Sequence, residues 1–275
     1  MKMEIFGNAL VVGGASGIGR ATAILLAKDG AAGVMVADLA ISAARDVVAE
    51  CRAVATNARF HAEAVEVDVT QEDSVRHALG QMVRIFGRID YCVNCAGIGV
   101  EQAVDIADTS SDAFRRFLDV NATGTFLVTR EASIVMRSQK LLPASPTSPG
   151  RGPTRGSIVN LGSGSSLIAS PGILPYTTSK HAVLGLTKNS ALDNAAYGIR
   201  VNCVCPSWTD TPMVQAAING TEDLAKLIAA AVPIGRMALP EEVADTVVFL
   251  CSPRSSYMTG SSLVVDGGTT LTALR

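Results

Sequence analysis

The chain has 275 residues, 48% of them apolar and 17% charged, with a formal charge of −2. That is enough for one α/β domain with a full core over residues 1–275, too apolar for a disordered chain, and without the basic excess a nucleic-acid partner would require. No apolar run approaches the ~20 residues of a membrane span. Residues 1–6 lack the apolar stretch of a signal peptide and residues 272–275 match no retention or peroxisomal address, so a cytoplasmic location is expected.

Along the chain, short Val/Ile-rich runs alternate with helical patterns. Residues 9–12 predict the first strand, continuously apolar as a strand covered on both faces should be. It runs into Gly13-Gly14-Ala15-Ser16-Gly17-Ile18-Gly19 and then a helical stretch over 20–28. Strand, glycine turn and helix start together set a pyrophosphate on the free N–H groups and positive end of a helix, and the glycines let backbone approach phosphate. The second strand, 34–38, ends in Asp38, followed by Leu39 rather than a basic residue. A carboxylate there accepts hydrogen bonds from the ribose hydroxyls of NAD and repels the 2′-phosphate of NADP, so NAD is the expected cofactor. The third strand, 64–68, ends in Asp68-Val69, placed to meet an adenine amino group.

Val75, Leu79, Met82 and Phe86 then mark one face of a helix. The fourth strand, 89–93, leads into Asn94-Cys95-Ala96-Gly97, small residues where a cofactor has to pass close. Asn121 falls in a helical stretch over 114–128. Residues 139–155 hold four prolines and predict a surface loop inserted before the fifth strand, 157–161. Just past that strand, the Ser163 hydroxyl is placed to hold and polarise a substrate oxygen. Tyr176-Thr177-Thr178-Ser179-Lys180 puts a phenol and an ammonium four apart, on one helix face. Hydride transfer to a ketone requires a proton donor at the oxygen, and alcohol oxidation requires a base there. An unperturbed phenol titrates too high to be that base near neutral pH, and a neighbouring cation favours the phenolate. Lys180 is also placed to hold the nicotinamide ribose, and Asn121 to join a water chain that carries the proton from Lys180 to solvent.

The sixth strand is 199–204. Residues 212–235, apolar and including Met213, form a lid segment over an apolar pocket bordered by Trp208, Leu167, Ile168, Ile173 and Leu174. Pro240 with Glu241 and Glu242 opens a helix that buries Val243, Val247 and Leu250, and 262–265 is the seventh strand. The alternation implies right-handed crossovers and a doubly wound parallel sheet of seven strands with helices on both faces. The six cysteines, including the Cys92-x-x-Cys95 pair, read as thiols within the fold rather than disulfides or metal ligands.

In order, Gly13-x-x-x-Gly17-x-Gly19, Asp38, Asp68-Val69, Asn94-x-Ala96-Gly97, Asn121, Ser163, Tyr176-x-x-x-Lys180, Pro206, Thr211-Pro212 and Val265-Asp266-Gly267-Gly268 resemble the motifs of the short-chain dehydrogenase/reductases, with their Rossmann fold, over nearly the whole chain. The resemblance implies that Asn121, Ser163, Tyr176 and Lys180 form a catalytic tetrad. It implies that Thr211 and the backbone near Thr209 contact the nicotinamide carboxamide, with Pro206 beside them, and that the chain is a homo-oligomer, tetramer or dimer, packed through helices and the C-terminal strand. Four departures stand out: Val12 where the family usually has Thr, Cys95 for a second Asn, Gly162 for a frequent Ser, and Ser207 for Gly. None removes a group that does chemistry.

The expected activity is hydride transfer between NAD and a secondary alcohol or ketone on an apolar, cyclic skeleton (terpenoid, steroid-like or polyketide), touched by Ser163, Tyr176, Trp208 and Met213. A non-redox isomerase or cyclase on the same scaffold and an NAD-sensing binding protein stay open beside it.

Overall fold

Every run read as a strand overlaps one in the computed structural model, which describes residues 3–100, 102–220 and 223–271; the third spans 61–66 rather than 64–68, and the fourth 91–94 rather than 89–93. Residues 272–275, 1–2 and 221–222, to which some of the readings above extend, lie outside the described residues. The strands are β1 (Asn8–Val12), β2 (Gly33–Asp38), β3 (His61–Glu66), β4 (Tyr91–Asn94), β5 (Leu142–Pro143), β6 (Pro153–Thr154), β7 (Gly156–Leu161), β8 (Ile199–Pro206) and β9 (Ser262–Val265). The helices are α1 (Gly17–Lys28), α2 (Ile41–Val54), α3 (Glu72–Phe86), α4 (Ser111–Phe117), α5 (Gly124–Ser138), α6 (Leu174–Ala195), α7 (Pro212–Gly220), α8 (Leu224–Ala231) and α9 (Pro240–Cys251).

Seven strands form one parallel sheet in the order β3-β2-β1-β4-β7-β8-β9. Between β1 and β4 the direction of winding reverses, and this switch point is where an open α/β sheet leaves a crevice at its carboxyl edge. The register aims the motifs there: Val12 lies beside Ala37 and Asn94, and Asn94 beside Asn160.

Both faces are covered. Leu26 of α1, Val47 of α2 and Val247 and Leu250 of α9 fill one side. Leu79 and Met82 of α3 and Val128 and Met136 of α5 fill the other. Each such buried side chain contributes roughly 1.5–3 kcal/mol relative to exposure. Pro240 opens α9 as expected, and Glu242 accepts a 2.8 Å hydrogen bond from the Leu239 N–H and pairs with Arg236.

Two segments differ from the sequence reading. The 114–128 stretch is α4 and α5 joined by a π-helical turn, Leu118–Thr123, that carries Asn121. The Thr125 hydroxyl donates to Asn121 O at 2.7 Å in this turn. The Pro-rich insertion is a small antiparallel hairpin, β5 on β6, around a 3-10 turn at Pro149–Arg151. Its base is clamped: Gln139 accepts from Ile89 N at 2.7 Å and donates to Ile89 O and Arg155 O at 2.9 Å each. It therefore sits at the amino edge of the sheet, away from the crevice. All six cysteines are free thiols, and among the described residues no helix is long and apolar enough to cross a membrane.

Candidate active site

At the switch point the strand ends open into a cleft of about 410 Å³. It is lined by every cofactor residue expected above except Asn94, together with Ser163 and Met213. Asn121 stands behind the wall, 1% exposed. Trp208, Leu167, Ile168, Ile173 and Leu174 are not part of the wall. Trp208 lies where the chain pairs with Ala238, whose N–H it accepts at 2.9 Å.

The cofactor half is built by backbone. After Val12 the chain turns at Gly13 (φ +71°), where a Cβ would stand 2.5 Å from Ala96 N. At Gly19 a Cβ would stand 2.0 Å from Gly13 O, so only glycine lets the start of α1 rest on the turn. The Ser16 side chain caps no helix N–H, and Ser16 through Gly19 face the cleft. A helix start with open donors is a seat for phosphate, and the bare Cα atoms leave room for it.

Asp38 accepts from Ala15 N at 2.9 Å and Ala40 N at 3.0 Å, which fixes its carboxylate at the cleft wall. Among the described wall residues Lys180 is the only Lys or Arg. Arg20, on α1, is held by Glu50. One oxygen of Asp68 is taken by the Thr70 N–H and hydroxyl, at 2.9 and 2.7 Å. Asn94, 2% exposed, shapes the next turn from below: it accepts from Ala96 N and donates to the Thr125 hydroxyl, both at 3.2 Å. Burial pushes the Cys95 thiol up to about 12, so it meets the cleft as a neutral group.

The catalytic half hangs on α6, which begins with Pro175 in its first turn. Tyr176 and Lys180 share a face: the Lys180 Nζ is 5.8 Å from the Tyr176 ring centroid and donates to Leu161 O at 3.0 Å. The Tyr176 ring meets Phe117 edge-on, centroids 6.2 Å apart. Ser163, 8% exposed, accepts from Ser165 N at 3.1 Å. Its own N–H donates to the Ser166 hydroxyl at 3.1 Å, and that hydroxyl donates to Lys180 O at 2.8 Å. Asn121 accepts from Ile98 N at 2.8 Å and donates to Ile98 O and the Ser179 hydroxyl at 3.1 Å each. Both its amide hydrogens are thus spent on tying the loop after β4 to α6. A Cβ on Gly97 would lie 3.1 Å from Asn121 Oδ1 and 3.5 Å from Lys180 Nζ, so the bare Cα of Gly97 lets the two side chains come together there.

Ser166, Ser179 and Ile98 escaped the sequence reading. Ser163-x-x-Ser166 has the spacing of a capping box and was legible as one. Ile98 acts through its backbone, for which no side-chain signal exists. Across the mouth, Met213 at the start of α7 packs on Gly99, where a Cβ would stand 2.7 Å from its Sδ. A phenol, an ammonium and a hydroxyl beside a glycine cradle can transfer a proton at an oxygen held next to a dinucleotide.

Comparison with known proteins identifies relatives along nearly the whole chain. Residues 13–270 match the family described as enoyl-(acyl carrier protein) reductase. The chain is 62% identical over 272 residues to the short-chain dehydrogenase fogB of Aspergillus ruber, covering 99% of this chain and 100% of that one. It is 38% identical over 268 residues to the 2,5-dichloro-2,5-cyclohexadiene-1,4-diol dehydrogenase of Sphingobium indicum, covering 97% and 98%. A crystal structure of a short-chain type dehydrogenase/reductase from Mycobacterium marinum superposes with a TM-score of 0.84 at 35% identity, covering 97% of this chain and 96% of that one.

Proposed function

The chain belongs to the short-chain dehydrogenase/reductase family, and on that premise we propose that it is an NAD-dependent oxidoreductase acting on a secondary alcohol or ketone. The observation that carries this reading is the meeting of Tyr176, Lys180 and Ser163 in one cleft with the glycine turn and Asp38. The family uses nicotinamide cofactors, and the uncapped start of α1 at Ser16–Gly19, facing the cleft, fits the phosphates of such a group. When bound, the cofactor supplies or takes the hydride.

Tyr176 gives its phenolic proton to the substrate oxygen in reduction and takes it in oxidation. Ser163, whose oxygen is held by the Ser165 N–H, donates its hydroxyl hydrogen to the same substrate oxygen and orients it. Lys180 sets its ammonium beside the Tyr176 ring and binds the nicotinamide ribose. Asn121 joins a water chain that carries the proton from Lys180 to solvent, and it ties the loop after β4 to α6. Pro206, Thr209 and Thr211 flank the carboxamide. Asp38, with no cation at its end of the cleft among the described wall residues, favours NAD over NADP.

Met213, Val214 and Ile98 on the wall, and the exposed Leu227 and Ile234 of the 212–235 lid, support an apolar substrate. The ring diol named for the Sphingobium relative supports a cyclic skeleton. Exposed Phe126 and Ile134 on α5, Leu192 on α6 and Val264 on β9 support a homo-oligomer through those faces.

The test is titration of the purified protein with NAD⁺ and NADP⁺, then NADH formation from a panel of apolar secondary alcohols, with Tyr176→Phe alongside. The expected result is NAD⁺-specific turnover that falls by about 10²–10⁴ in the variant while cofactor binding is kept. Preference for NADP⁺ refutes the role of Asp38. NAD⁺ binding without redox turnover of any alcohol or ketone favours the sensor or isomerase readings.

A further inference from the structure

Beneath Ser163 lies a pair of thiols that the proposed mechanism does not use. Cys203 and Cys205, two apart on β8, are both fully buried with their sulfurs 3.8 Å apart. They sit with Val183 and Leu184 of α6, on the side of the sheet that carries the catalytic helix. The two sulfurs flank the point where a side chain at Gly162 would begin: a Cβ there would stand 2.9 Å from each sulfur and 3.0 Å from the Ser166 hydroxyl. Gly162 is one of the positions where this chain departs from its family's habit of a serine. Its backbone does not require glycine, because its φ is not among the positive ones. What excludes a side chain at 162 is therefore the volume of the two thiols and the Ser166 hydroxyl.

The pair is also wired to the site. The two thiols share a hydrogen bond; it holds the Cys205 pKa below the ordinary thiol value against burial, and the Ser163 N–H and the Lys180 charge act in the same direction. Cys203 is correspondingly pushed well up, by that hydrogen bond to Cys205 and by burial. The same Ser163 N–H donates to the Ser166 hydroxyl, which donates to Lys180 O. The end of β7 and the first turns of α6, which carry Ser163 and Lys180, are thus joined through the Ser166 hydroxyl beside the two sulfurs.

We propose that Cys203 and Cys205 are positioning residues: they occupy the room left by Gly162 and set the spacing of Ser163 and Lys180 across the cofactor cleft. This rests on the reading of the cleft as a dinucleotide site. It makes Gly162 and the two cysteines one unit, exchangeable only together.

The experiment is a cycle of Gly162→Ser, the pair Cys203→Ala/Cys205→Ala, and all three substitutions combined. Each protein is read by thermal unfolding, by fluorescence titration with NADH, and by kcat and KM on the alcohol that the wild type turns over best. Gly162→Ser is expected to weaken NADH binding by about tenfold or more and to lower kcat by up to about a hundredfold, as misplacement of about 1 Å does, with less change in KM. The triple variant is expected to regain most of both losses, because the removed sulfurs vacate the room the new side chain needs.

A triple variant no better than Gly162→Ser overturns the proposal. So does a Gly162→Ser protein with wild-type NADH affinity, or one whose only deficit is a lower unfolding temperature. Should Gly162→Ser fail to fold, the triple variant decides alone: NADH affinity near wild type supports the unit, and its loss in a folded triple variant refutes it. Wild-type protein that binds neither NADH nor NADPH refutes the reading of the cleft itself, whereas wild-type binding without rescue refutes only the role of the thiols.

Discussion

Replacing Asn121 by Ala removes a carboxamide that is 1% exposed and makes three hydrogen bonds, to Ile98 N, Ile98 O and the Ser179 hydroxyl. Ser179 keeps its 2.7 Å bond to Tyr176 O, so its loss is small. Ile98 loses its side-chain partner at both backbone groups, but it lines the cleft, where water reaches it, so the full cost of orphaned buried groups does not apply. With about 1 kcal/mol for each bond and a partial penalty at Ile98, the variant should be less stable by about 2–4 kcal/mol. For a domain of this size that is a fall of roughly 5–10 °C in Tm. NADH affinity should fall with it, because the 95–98 loop loses its tie to α6. Asn121→Asp removes only the two amide hydrogens. It keeps the volume and the acceptor for Ile98 N but sets a carboxylate oxygen against Ile98 O, and should be destabilised about as much as the alanine variant. Calorimetric unfolding and NADH titration of both variants supply the check. A Tm within about 1 °C of wild type for either variant would refute the assignment of Asn121 as a fully engaged brace.

Three further outcomes follow from the site and its surroundings. Gly13→Ala puts a Cβ at φ +71° and 2.5 Å from Ala96 N; the left-handed strain alone costs about 1–2 kcal/mol, and both Tm and NADH affinity should drop, whereas unchanged NADH binding would show that the turn is not the phosphate seat. Asp38→Ser should reduce the preference for NADH over NADPH by about tenfold or more, read from the ratio of the two dissociation constants; an unchanged ratio would remove Asp38 from cofactor choice. Glu242 is held at about 2, below its ordinary 4.5, by the Arg236 guanidinium first and the Leu239 N–H second. A depressed carboxylate contributes stability that is present above its ordinary value and lost as the pH falls through the folded one. The Tm difference between wild type and Glu242→Gln should therefore be present at pH 7 and shrink between about 4.5 and about 2; a difference independent of pH over that window would contradict the pairing.

Much of the site was legible because its chemistry sits at strand ends. A continuous apolar run stops where the sheet stops, so Gly13, Asp38, Asp68 and Ser163 were each placed at the carboxyl edge by the run preceding them. The Tyr176–Lys180 pair followed from helical period alone. The apolar residues assigned to the substrate pocket were harder: Leu167, Ile168, Ile173 and Leu174 lie close in sequence to Ser163 and Tyr176, yet outside the wall. Nearness along a loop does not say which way the loop turns. The 139–155 hairpin was missed for a related reason: its prolines argue against a central strand, but not against a two-residue pair at a turn.

Sequence by itself determined the seven strands of the main sheet and their covered character, the glycine cradle, the acid at the second strand end and the phenol–ammonium pair. All of these depend on local period and on backbone freedom at single residues, which neighbouring residues already specify. Tertiary structure decided what no local pattern encodes: that both amide hydrogens of Asn121 are spent on Ile98 and Ser179, that a π-turn carries it there, that Met213 closes on Gly99, and that two thiols on β8 fill the room beside Gly162. These contacts join residues far apart in the chain, and their distances exist only once sheet register and helix packing have brought the elements together.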